Sequence, residues 1–120
     1  MVSTPDTSTQ LDFTLDRAEF FAVGRALQRG FGRRLLGKVT IDVRDARLTI
    51  ESAWGGSTIS CVGNGQICVE ITGKAFCDLI TPRFRKKTLS GRMVLSFRPS
   101  FKEIASDDVG VRAKFLSLPK

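Results

Sequence analysis

The chain has 120 residues, 42% of them hydrophobic and 26% charged, which suits one globular domain able to bury a core without staples. Nineteen Lys and Arg against twelve Asp and Glu give a net charge of +7, an excess that favours an anionic partner, most often nucleic acid. No apolar run approaches the ~20 residues of a membrane-spanning helix, and the lack of histidine removes the commonest general base together with Ser–His and Cys–His nucleophile pairs.

In chain order, the first ten residues, MVSTPDTSTQ, are polar and lack the basic-then-apolar pattern of a secretory signal. They read as a disordered leader over 1–10, with the folded domain over 11–120 and a cytoplasmic location. Asp6 is the only charge in the leader, so the folded part carries +8. Leu11 to Leu15 alternates as a short strand and runs into a helix capped by Asp16, with Glu19 completing a capping box. At ~100° per residue Phe20, Val23 and Leu27 share one helix face, and Arg25, Arg29, Ala18 and Ala22 lie opposite. Gly30 stops the helix and opens a glycine-spaced basic loop, Gly30-Phe31-Gly32-Arg33-Arg34. Three alternating strands follow, Lys38 to Val43, Arg47 to Ala53 and Ser57 to Val62. Asp45-Ala46 and Trp54-Gly55-Gly56 make the turns between them.

The pattern then starts again. Val69-Glu70-Ile71 reads as a strand, and Thr72 caps a helix running to about Thr81, where Pro82 ends it. Leu15 to Phe21 superimposes on Ile71 to Cys77 at an offset of 56 residues, and Val39 to Val43 on Met93 to Phe97 at an offset of 54. In the second helix Phe76, Leu79 and Ile80 share the apolar face, while Lys74, Asp78, Thr81 and Arg85 lie away from it. The basic run Arg83, Arg85, Lys86 and Lys87 occupies the following loop. Arg92 to Phe97, Phe101 to Ala105 and Val111 to Leu118 complete a count of about eight strands and two helices, arranged as two βαβββ units. The fold class is therefore α+β, with two helices packed on antiparallel sheets and Phe20, Val23, Leu27, Phe76, Leu79 and Ile80 buried beneath them.

Little in the chain points to catalysis or to a cofactor. Gly55-Gly56-Ser57 and Gly63-Asn64-Gly65 are glycine-rich, yet neither continues into the Gly-Lys-Ser/Thr of a phosphate-binding loop. Asp42, Asp45 and Asp107-Asp108 fall at turns. Cys61, Cys68 and Cys77 show no zinc spacing. An Asn64-Gly65 hairpin would set Cys61 opposite Cys68, although three buried free thiols is the simpler reading. No metal, no cofactor and no enzymatic activity are expected. Trp54 and nine Phe suit a core with a few exposed rings.

FTLDRAEFFAVGRAL, VTIDVRDARLTIESAWGGSTISC, VEITGKAFCDLI and KFLSLP, in that order, resemble one domain of a bacterial DNA polymerase sliding clamp. The resemblance covers nearly all of 11–119 and rests on the order of elements more than on any one motif. It implies the DNA-clamp (processivity) fold, two pseudo-symmetric βαβββ units with their helices lining a hole around duplex DNA. Clamps of this family are rings of six such domains, so this single-domain chain would need six copies. The loop after the first helix, here Arg33 and Arg34, carries a DNA-contacting arginine in the resembling clamps.

Two functions follow as expectations. The first is a self-assembling processivity or tethering factor for DNA replication, gripping duplex DNA without sequence specificity and serving a DNA polymerase or repair protein. Its phosphate contacts would come from Arg25, Arg29, Arg33, Arg34, Lys74, Arg83, Arg85, Lys86 and Lys87. The second is a clamp-fold adaptor that binds a partner protein or peptide and not DNA, its charge serving solubility.

Overall fold

The computed structural model describes residues 10–31, 37–53, 55–63, 65–80, 91–106 and 109–117. Among them are nine strands and two α-helices: β1 Leu11–Asp16, α1 Arg17–Phe31, β2 Lys38–Arg44, β3 Arg47–Ser52, β4 Gly55–Val62, β5 Ile67–Thr72, α2 Gly73–Ile80, β6 Arg92–Arg98, β7 Glu103–Ser106, β8 Val109–Arg112 and β9 Lys114–Ser117. The fold is α+β. All strand pairs are antiparallel, in the order β8-β7-β6-β1-β4-β3-β2-β5-β9. The two ends of that order, β8 and β9, are separated in sequence by Ala113 alone, so the sheet bends round until its ends meet at one residue.

Alternation decides which strand face is buried. Val39, Ile41 and Val43 of β2 and Met93, Leu95 and Phe97 of β6 all face the core, as do Ile67, Val69 and Ile71 of β5. The helices close that core. Asp16 accepts a hydrogen bond from the Glu19 amide at 3.2 Å, and Thr72 Oγ1 accepts one from the Ala75 amide at 3.0 Å. Each satisfies a donor that the first helical turn would otherwise leave open.

The two halves also latch onto one another in matching ways. Arg17 N–H donates to the Gly91 carbonyl at 2.9 Å, and its counterpart Gly73 N–H donates to the Gly37 carbonyl at 2.8 Å. Within each half a second matching bond recurs: Cys61 N–H donates to Ala46 O at 3.0 Å, and Ala113 N–H to Lys102 O at 2.9 Å. Ala46 and Lys102 both have left-handed backbones, with φ of 62° and 51°. The Arg17 side chain adds a further latch, donating from Nη2 to the Arg92 carbonyl at 3.0 Å.

Several expectations need correction. Val23 is only half-buried, whereas Phe21 and Gly24 lie in the core beside Phe20 and Leu27. The buried arc of α1 is wider than a single stripe because α1 packs on both the sheet and α2. Gly24 makes the close approach to α2: a Cβ there would fall 2.5 Å from Ile80 Cγ2. β4 and β5 do not pair as the expected hairpin: β4 pairs with β1 and β3 while β5 pairs with β2 and β9. Cys61 and Cys68 therefore do not face each other, and Cys68 is half-buried where full burial was expected. Nine strands replace the expected eight because the final run is broken at Ala113 into β8 and β9. The strand expected from Phe101 begins instead at Glu103, after a 3₁₀ turn over Pro99–Phe101 that leaves Phe101 exposed. Residues 1–9, Trp54, Asn64 and Asp107-Asp108 lie outside the described residues.

Candidate nucleic-acid interface

The sequence directs attention to the outer faces of the helices. Phe20 and Phe76 meet edge to face with ring centroids 6.4 Å apart, and Gly24 meets Ile80. The helices are thus neighbours, each with its apolar face turned to the core. On α1, Ala18, Glu19, Ala22, Arg25, Ala26 and Arg29 are exposed, and on α2, Lys74 and Asp78. Small alanines between the charges leave this surface low, which suits close approach by a large partner.

Helix electrostatics separates the three cations. Arg29 occupies the last turn of α1, where a positive charge offsets the negative end of the helix dipole. Helix stability alone accounts for it. Lys74 is the second residue of α2, at the positive end, where a cation is unfavourable by roughly 0.3–1 kcal/mol. The helix dipole therefore gives Lys74 no reason to be there. Arg25 lies in the middle of α1 and is neutral on this criterion.

The described helix faces hold three exposed cations, Arg25, Arg29 and Lys74, against two exposed acids, Glu19 and Asp78. That balance is nearly even. The other expected DNA-contacting residues, Arg33, Arg34, Arg83, Arg85, Lys86 and Lys87, lie outside the described residues. They belong to the two segments that follow α1 and α2, at matching places in the two halves.

Elsewhere, Lys38, Lys102, Arg112 and Lys114 surround a cavity of about 320 Å³ on the outward side of β5, β8 and β9. Sequence reasoning did not gather these four, which come from distant strands and a turn. Alternation places Lys38, Arg112 and Lys114 outward, but only the Ala113–Lys102 hydrogen bond brings in Lys102.

Strand edges are also open at three places among the described residues, one of them β9, which pairs only with β5. β4 pairs with β3 over Gly55–Ser60 and reaches β1 only through Cys61 and Val62, and β8 pairs only with β7. Each leaves a run of backbone donors and acceptors without a strand neighbour among the described residues.

Neither Cys61 nor Cys68 is poised for nucleophilic chemistry. Burial pushes the Cys61 thiol up from its ordinary pKa. Cys68 is raised first by burial and then by Asp42 and Glu51, against Arg44. Both remain protonated, and so poor nucleophiles, near neutral pH. Asp42 is held by Arg44 at 2.9 Å, and Asp45 sits in the β2–β3 turn with φ of 53°. Among the described residues, no group of three or more His, Cys, Asp or Glu converges to hold a metal ion, and no helix is long and apolar enough to cross a membrane.

Comparison with protein-family models, with curated proteins and with solved structures returned no match to this chain.

Proposed function

We propose that this chain is a sliding-clamp-like protein of the DNA-clamp fold, assembling from single domains to hold duplex DNA without reading its sequence. The observation that carries this reading is the paired helix arrangement: two half-domains latched by matching bonds, with α1 and α2 adjacent and their charged faces turned outward. The position of Lys74 supports it further, since that cation works against its own helix. The open edges of β4 and β8 supply the means of assembly: pairing β4 of one copy with β8 of the next is head-to-tail, and such contacts close into rings when the rotation allows. On this reading the protein is a non-catalytic tether, and a polymerase or repair protein is the partner it would serve.

A specific observation favours the alternative. The near balance of charge on the described helix faces is what an adaptor that binds a protein or peptide would show. DNA affinity would then have to come from the segments after α1 and α2.

The salt dependence of DNA binding tests the proposal. Each phosphate neutralised contributes about 0.9 to the slope of log affinity against log salt. Replacing Arg25 and Arg29 together by Ala should flatten that slope by up to about two units without unfolding the domain. An equal charge change at Arg44 and Arg47, on the β2–β3 hairpin, should leave it nearly unchanged. Equal losses in both variants would mean net charge and no site; no loss in either would favour the adaptor.

A further inference from the structure

The 320 Å³ cavity beside β5 has a built-in control, because the fold makes the same cavity twice. Its counterpart, about 210 Å³, lies where β1, β4 and the start of β6 meet. The Cys61–Ala46 and Ala113–Lys102 hydrogen bonds fix the correspondence. Arg112 stands where the first half has Ser60, Lys114 where it has Val62, Thr72 where it has Asp16, and Lys38 where it has Arg92.

The framework is shared and the charge is not. The first cavity has one cation, Arg92, and one acid, Asp16, and is neutral overall. The second has Lys38, Lys102, Arg112 and Lys114 against Glu70, an excess of three positive charges. Since the neutral version sustains the same backbone arrangement, the cations are not needed to build it. Glu70 is engaged with Lys38 at 3.8 Å, and Glu103, opposite Arg112 across β7 and β8, with Arg98 at 3.3 Å, so Lys102, Arg112 and Lys114 form no ion pair with a carboxylate among the described residues. Lys102 is also the C-terminal cap of the 3₁₀ turn, held at φ of 51°, a conformation uncommon for a non-glycine residue. Its place is fixed by its backbone bonds to Pro99 and Ala113.

We propose that this cavity is a binding site for a phosphoryl group, carried by a small ligand such as a phosphate monoester. Three converging unpaired cations repel one another, and a dianion with three terminal oxygens relieves that repulsion while accepting from all three. Arg112 supplies a planar fork suited to two of those oxygens, and the lysines act as point charges. The volume exceeds that of a bare phosphate, which leaves room for a stem over Ile71 and Ala113 on the cavity wall. The site lies on the outward strand face, distinct from the helix surface, and stands independently of the DNA-binding proposal.

The test titrates the full chain with inorganic phosphate and with a nucleoside monophosphate by calorimetry, at constant ionic strength. Three proteins are compared: the unmodified chain, R112S/K114V, which copies the neutral counterpart, and R25A/R29A on the helix face. Phosphate should bind the unmodified chain and R25A/R29A equally, and R112S/K114V at least about tenfold more weakly, the loss expected from one charge-assisted hydrogen bond. Tighter binding of the monophosphate than of phosphate would establish a ligand with a stem; equal binding would establish free phosphate as the ligand. Should R112S/K114V lose its fold by circular dichroism, K102A must show the weakening instead. The proposal is overturned if neither probe binds the unmodified chain at millimolar concentration. It is also overturned if the cavity variants bind as tightly as the unmodified chain.

Discussion

The half of the chain that runs from β1 to β4 and the half from β5 to β9 use one plan with different residues. Both start with a strand whose last residue caps a helix, Asp16 in one and Thr72 in the other. Both place a phenylalanine at the helix contact and three apolar residues on the next strand. They part company at the surface. α1 spans 15 residues and α2 only 8, β4 is continuous where β8 and β9 are split, and one outward cavity is neutral where the other is basic. The agreement marks what packing and hydrogen bonding require. The divergence marks positions the fold leaves free, and function is best sought there.

The sharpest way to break this comparison is through the paired aromatics. Phe20 and Phe76 are both fully buried and touch each other. Phe20→Ala and Phe76→Ala should each cost about 3–5 kcal/mol in denaturant unfolding. Their double variant should lose less than the sum, because the two rings share one contact. Losses confined to one of them would show that a single helix carries the core.

A smaller effect belongs to a place where the halves differ in kind. Glycine inside a helix is ordinarily worse than alanine by about 0.5–1 kcal/mol, so Gly24→Ala would normally stabilise α1. Here the added Cβ would meet Ile80, and an overpacking cost of about 1–3 kcal/mol should win. Adding Ile80→Val should restore part of that loss in thermal unfolding. A Gly24→Ala variant more stable than the parent would mean that the helices are not in close contact at this point.

Smallest are the caps. Asp16→Ala and Thr72→Ala should each cost about 1 kcal/mol. Asp16 should lose slightly more, since a carboxylate also favours the helix dipole. Exchanging the two, Asp16→Thr and Thr72→Asp, should be nearly neutral if the caps do the same work.

How far the sequence was legible depended on the distance over which each signal acts. Local signals were readable: alternation in Val39, Ile41 and Val43, the caps at Asp16 and Thr72, and the Asp45-Ala46 turn. The Asn64-Gly65 turn signal was equally strong locally, but strand partners are chosen by distant pairing, and β4 and β5 go to different neighbours. Gly24 carries no hydrophobic signal, so its burial could be known only from Ile80. The final run reads as one strand because Ala113 breaks no local rule; the split arises when the chain leaves β7 for β5. The same holds for the candidate sites. Arg25 and Arg29 could be assigned to the outer face of α1 from spacing, whereas Lys38, Lys102, Arg112 and Lys114 meet only through the fold.

Mass in solution tests the proposed assembly around DNA most directly. Sedimentation velocity of the full chain, across micromolar concentrations and with short duplex DNA added, should reveal a species of six times the 13.2 kDa chain mass that carries the DNA. A strictly monomeric protein at high micromolar concentration, unchanged by DNA, would contradict it.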